Sequence, residues 1–174
     1  MSTTIKTWYD FVLQQMAAES YLDGWNNLSN TDRQNRLLLG SNNIYFLQPG
    51  ETPTTPILPG ATRMTATQAA DFLSRYTVID HQPNTASGFS ATLMRDNNTG
   101  EYTFSMRSTE YFDPAQGGDW YRDGLTGADG EINSHGFALR QILDMQDYYE
   151  GLKDSGLIPA GTKINVTGYS LSGH

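Results

Sequence analysis

The chain has 174 residues, 19 acidic and 11 basic, and a formal net charge of -8. That length suits one domain with one sizeable core, and the acidic balance argues against a nucleic-acid binder, which needs a basic face, and against electrostatic attraction to an anionic membrane. The absence of cysteine excludes disulfides, thiolate metal sites and cysteine nucleophiles together.

No apolar stretch approaches the roughly 20 residues of a membrane span. The start, Met1-Ser-Thr-Thr-Ile-Lys-Thr-Trp, lacks a basic patch followed by an apolar run, so no ordinary signal peptide is expected. This composition suits a bacterial protein exported without an N-terminal signal, and equally a cytoplasmic one.

Residues 7 to 22 read as a helix with Trp8, Phe11, Val12, Met16 and Tyr21 on its apolar face. A second helix is expected over about Asn30 to Leu39, ending at Gly40. Residues 48 to 62 carry four prolines and two glycines. They read as a loop rather than a linker, because neither flank could be a complete domain alone. Thr65 with Gln68 resembles a capping box opening a helix to about Tyr76. His81, just before Pro83, is expected in an exposed loop.

The period then changes. Phe89, Ala91 and Leu93 alternate, and after Asn97-Asn98-Thr99-Gly100 so do Tyr102, Phe104 and Met106. Two alternating runs around an Asn/Gly turn predict an antiparallel hairpin. The glycine-rich stretch from 110 to 134 predicts a long irregular segment, and loops of that length are usually functional or disordered. A helix is expected from about Gly136 to Asp154, with Phe137, Ile142, Met145, Tyr149 and Leu152 inward and His135 at its start. Pro159 and Gly161 break it, and Lys163 to Thr167 reads as a short strand with Ile164 and Val166 on one face. A hairpin, a helix and a strand in this order argue for an α/β sheet with flanking helices.

That last strand runs into Gly168-Tyr169-Ser170-Leu171-Ser172. The pattern is Gly-x-Ser-x-Ser, one residue away from the nucleophile elbow Gly-x-Ser-x-Gly. An elbow is a sharp strand-to-helix turn that holds the central serine in a strained conformation with its hydroxyl exposed. Positions two before and two after must be small, because they pack across the turn. Gly168 meets that demand and Ser172 comes close to it. Ser172 is a poor rival nucleophile, since its own flanking positions would be Ser170 and the large His174. The elbow also aims the Leu171 amide where it can stabilise an oxyanion.

A second constellation precedes it. Met106-Arg107-Ser108-Thr109-Glu110 ends a predicted strand, Asp119-Trp120-Tyr121-Arg122-Asp123 follows, and then His135-Gly136-Phe137. This order resembles the fungal-type (class 3) lipase family of α/β-hydrolases, including its bacterial secreted members. There a strand ends in Phe-Arg-Gly-Thr/Ser, followed by Asp/Asn-Trp-x-x-Asp, a Gly-Phe helix and Gly-His-Ser-Leu-Gly-Gly. The match covers about residues 87 to 174, and the first 80 residues fit only loosely as leading helices. The resemblance implies a serine carboxylic-ester hydrolase acting on lipids. Ser170 would be the nucleophile, with Thr109 and Leu171 as oxyanion donors. Besides Ser172 for glycine, three departures stand out: Ser108 where the family has glycine, Met106 for an aliphatic or aromatic residue, and Tyr169 for the common histidine.

The resemblance also places a lid over Tyr111 to Glu131, with Asp119, Trp120 and Asp123 as lid or hinge candidates and Tyr111, Phe112, Trp120, Tyr121 and Leu125 as its apolar side. The other reading of that segment is a packed loop with Trp120 in the core. Asp123, Asp129 and Glu131 could hold calcium, but their spacing matches no EF-hand loop, and a solvated acidic loop is the expectation. No other cofactor is expected.

A serine hydrolase needs a histidine base and an acid to orient it. On an α/β-hydrolase sheet they follow the serine in the order Ser, Asp/Glu, His. His174 lies one helical turn after Ser170 and should point away from it, and neither His81 nor His135 is assigned as base. The triad acid and base are therefore expected beyond His174, with residues 1–174 as the N-terminal part of one domain. Two further readings stay open: a non-catalytic lipase-like binding module of a larger secreted protein, and a peptidase or thioesterase on the same sheet.

Overall fold

The computed structural model describes residues 3–40, 62–109, 122 and 124–173. The first helix, α1, spans Thr3–Ala18. It starts and ends earlier than its hydrophobic period suggests, and it buries a different face. Trp8 is 71% exposed and Val12 55% exposed, whereas Leu13, Ala17 and Ala18 are buried. Two stripes compete on this helix: a bulky one through Ile5, Trp8 and Val12, and a narrower one through Leu13, Met16 and Ala17. The narrower stripe packs inward, with Leu13 and Ala17 fully buried.

Helix α2 (Asn30–Leu39) takes Ser29 as its N-cap, whose hydroxyl accepts from the Asp32 amide at 3.2 Å. Helix α3 (Ala66–Arg75) opens on the expected capping box, with Thr65 and Gln68 bonded reciprocally. Leu37 and Met64, on either side of the proline-rich segment, pack in one core with Leu13, Leu22 and Phe72. A Cβ on Gly40 would lie 2.0 Å from the Thr62 carbonyl, so the chain re-enters against the end of α2 at a point only glycine allows. Residues 48 to 61 of the segment lie outside the described residues.

Four strands follow: β1 (Tyr76–Gln82), β2 (Ala91–Asp96), β3 (Tyr102–Met106) and β4 (Ile164–Thr167). They form one sheet in the order β1-β2-β3-β4, the first three antiparallel and β4 parallel to β3. The β2–β3 hairpin turns where expected, with Asp96 Oδ1 accepting the amides of Asn98 and Thr99 and Gly100 at φ +76°. Strand β1 corrects the expectation of an exposed loop around His81. Tyr76-Thr-Val-Ile is a β-former run, and Pro83 lies just past the strand's end rather than within it.

Helix α4 (Ala128–His135) lies inside the stretch read as irregular. His135 therefore ends a helix instead of opening one, and Gly136, left-handed at φ +87°, caps it. Helix α5 (Leu139–Asp154) starts three residues later than expected. Leu152 is buried, with Met145 and Tyr149 partly so, but Phe137 and Ile142 are exposed. The tail of α5 is thus docked more deeply than its head.

Side chains alternating along β2 separate two cores. Met94 joins α1, α2 and α3, whereas Ala91 and Leu93 join Phe104, Tyr148, Leu152 and Ile158 on the α5 side. The sheet is therefore covered on both faces by helices, a mixed α/β architecture. No helix among the described residues is long and apolar enough to cross a membrane.

Candidate active site

Strands β3 and β4 run parallel, with Phe104 across from Val166 and Ser105 across from Thr167. Continuing that register past the strand ends brings Gly168 level with Met106 and Ser170 level with Ser108. Ser170 and Thr109 thus leave the same end of the sheet on neighbouring strands. The Ser172 hydroxyl makes the link directly, reaching the Met106 carbonyl at 3.1 Å.

Ser170 has φ +55°, the only non-glycine positive φ among the described residues. A left-handed backbone costs a residue with a Cβ roughly 1–2 kcal/mol, and such strain persists only where the surroundings impose it. Here the turn imposes it. A Cβ on Gly168 would stand 2.2 Å from the Ser172 carbonyl oxygen, so the chain folds back on itself tightly enough to require glycine at that position. Residues Ser170–Gly173 form a 3-10 turn where an α-helix was expected to start. Ser170 is exposed, and its hydroxyl has no hydrogen-bond partner among the described residues.

The segment after β3 is held from α1. Ser108 donates its amide and its hydroxyl to the Glu19 carboxylate, at 3.1 and 2.5 Å. Burial raises the Glu19 carboxyl above the usual range, and the bonds from Ser108 and Gln15 together with the nearby Arg107 charge partly offset it. The Arg107 guanidinium lies 4.0 Å from the centre of the Tyr21 ring. The sequence showed nothing of Glu19, because a lone acid at a helix end carries no local signal of what packs against it.

No histidine is bonded to Ser170 among the described residues. His81 sits in β1 with Nδ1 2.9 Å from the Thr92 hydroxyl, and Nε2 is enclosed without a partner. Burial lowers its pKa to about 3, and the charges of Arg107 and Arg36 push the same way. It is a neutral structural ring, not the exposed loop residue expected from its neighbour Pro83. His135 is exposed at the end of α4. His174, Asp119, Trp120 and Asp123 lie outside the described residues, as does most of the expected lid. Asp129 and Glu131 fall in the first turn of α4, where Glu131 pairs with Arg140. Among the described residues no three metal-ligating side chains gather.

Two open cavities flank the turn. One of about 280 Å³ lies on the α5 side between Leu171, Phe89, Met106, Phe137, Ile142 and Met145. The other, of about 550 Å³, lies on the α1 side between Phe11, Val12, Met16, Val166 and Tyr169. Both are walled mainly by apolar side chains.

The fold and this site define a mixed α/β protein with a strained, exposed serine at a strand end. No family model, curated protein or solved structure matches the chain.

Proposed function

We propose that this chain carries the nucleophile half of a serine carboxylic-ester hydrolase acting on lipids, with an α/β-hydrolase-type sheet. Ser170 attacks the ester carbonyl. The amides of Thr109 and Leu171 receive the oxyanion, and the acid and base come from chain beyond His174. The observation that carries the reading is the strained backbone of Ser170 at the end of β4, against a glycine that admits no Cβ. A serine held this way presents its hydroxyl clear of its own backbone, which an ordinary strand-to-loop turn does not require. The order of motifs and the apolar walls beside Leu171 support a lipid acyl group as substrate.

The test uses the protein encoded by the complete gene. It should hydrolyse carboxylic esters of lipids, and Ser170→Ala should abolish this, since losing a nucleophile costs many orders of magnitude and leaves only oxyanion-hole catalysis. A fluorophosphonate probe should label the complete protein at Ser170 and leave the 174-residue chain unlabelled, because a serine without a base is a weak nucleophile. Normal turnover with alanine at position 170 would rule the mechanism out.

A further inference from the structure

The two serines that stand where the resembled pattern has glycine, Ser108 and Ser172, both spend their hydroxyls on one hydrogen-bonded network. Ser172 Oγ accepts the Tyr169 amide at 2.8 Å, and its proton is shared between the carbonyls of Met106 and Tyr169. Met106 O also accepts from Gln15 Nε2 at 2.8 Å. The second proton of the same nitrogen goes to Glu19 Oε1, also at 2.8 Å. Gln15 Oε1 accepts from Ser105 Oγ, which in turn contacts the Thr167 hydroxyl. Ser108 closes the circuit on Glu19.

One set of proton positions satisfies every bond, save that the single Ser172 proton is divided between two carbonyls. Thr167 donates to Ser105, Ser105 to Gln15, and Gln15 to both Glu19 and Met106. Ser108 donates twice to Glu19. Networks of this kind are rigid when every member is satisfied and costly when one is removed.

We propose that Gln15, Glu19, Ser108 and Ser172 form a polar clamp by which α1 fixes the end of β3 relative to the turn after β4. They are positioning residues for Thr109 and Ser170, and none of them touches the reacting atoms. This rests on the ester-hydrolase reading for its consequence in catalysis, but the mechanical coupling stands on geometry alone. An oxyanion site is productive only when its donors are fixed relative to the nucleophile. Here its two halves follow separate strands, β3 and β4. Glycine at 108 and 172 would supply tight backbone turns but no link between them, whereas serine supplies the link.

The experiment pairs kinetics with amide hydrogen exchange on the protein encoded by the complete gene. Ser172→Gly should speed exchange of the Ser108 amide, and Gln15→Met that of the Tyr169 amide, each by about tenfold or more, corresponding to loss of one network bond of about 1.4 kcal/mol. In neither case does the substituted residue itself bond the reporting amide, so a response there travels through the network. Ser172→Gly should also lower kcat for ester hydrolysis by about ten- to a hundredfold with KM little changed, the pattern of an interaction realised in the transition state.

If each variant disturbs only its own hydrogen bond, the clamp is wrong, whether or not the protein hydrolyses esters. If the remote amides respond but the unmodified protein has no esterase activity, the clamp holds and the ester-hydrolase reading fails. If Ser170→Ala is inactive while Ser172→Gly turns over normally, the reading holds and the positioning role fails. Should the variants not fold, exchange in the unmodified protein decides: the Ser108 and Tyr169 amides should open in one step with the same denaturant dependence, and separate openings would overturn the clamp.

Discussion

Ser170 and Gly168 show what a short motif can and cannot convey. The demand for a small residue two before the serine follows from the shape of an elbow, and Gly168 bears the cost of that shape in full. Gly168→Ala should destabilise the protein by about 1–3 kcal/mol or more, because the new methyl meets backbone that cannot move aside. Ser170→Gly should do the reverse. It relieves a left-handed strain of roughly 1–2 kcal/mol and gives back roughly 0.5–1 kcal/mol in unfolded-chain entropy. Urea melting should therefore show Ser170→Gly slightly more stable and Ser170→Ala close to the parent, and a less stable Ser170→Gly would mean that the turn is not strained. The role of Ser172 was only half legible. Its size suited the turn, but its bond to Met106, 66 residues away in sequence, depends on the pairing of β3 with β4. Glu19 and Gln15 were wholly illegible, because their partners lie across the fold.

At the scale of elements, the hairpin, the capping box, α2 and β4 were all legible, because each is set by local chemistry: turn residues, caps or alternation. The buried face of α1 was not, because two apolar stripes share that helix and only packing against β3 chooses between them. Leu13→Ala should cost about 2–5 kcal/mol as a core truncation, and Trp8→Ala should stay within about 0.5 kcal/mol as a surface change. Equal costs in thermal or urea melts would restore the bulky face as the buried one. Strand β1 was missed because Pro83 reads as a breaker for the residues before it, although it merely ends them. That error concealed His81, and with it a pH dependence. The folded-state pKa of His81 is lowered from 6.5 to about 3, so the fold binds the neutral ring. Its stabilising contribution is complete above about pH 6.5 and is lost as pH falls toward 3, by at most about 1.4 kcal/mol for each pH unit. Glu19 has the opposite sign: its raised pKa gives a contribution present below the ordinary carboxylate value and lost as pH rises through the folded one. Stability measured from pH 7 down to 4 should therefore fall less steeply in His81→Asn, which keeps a partner for Thr92 but cannot take up a proton. An unchanged slope would show that His81 is solvated in the native state.

For the whole molecule the decisive feature is the outer side of β4. Among the described residues this strand pairs with β3 alone, and no described strand lies along its other edge. Val166, at 64% exposed, and Tyr169 lie along it. Apolar cavities open on both faces of the same edge, one walled by Phe11, Val12 and Met16 of α1 and the other by Ile142, Met145 and Tyr149 of α5. Residues of α1 and α5 therefore flank this edge of the sheet on its two faces. Unpaired edges beside exposed apolar side chains template association with other chains. Each large side chain left in water forfeits about 1.5–3 kcal/mol of burial, against a total stability of about 5–15 kcal/mol for a typical domain. A few such side chains are enough to remove most of the margin. The 174-residue chain by itself should accordingly run as aggregate or as loosely packed, self-associating species on size exclusion, with a shallow urea transition. Val166→Lys should shift it toward smaller species, because a charged side chain on an edge strand disfavours further pairing. A monomer with a steep, cooperative melt, unaltered by Val166→Lys, would show that this edge is not a site of association.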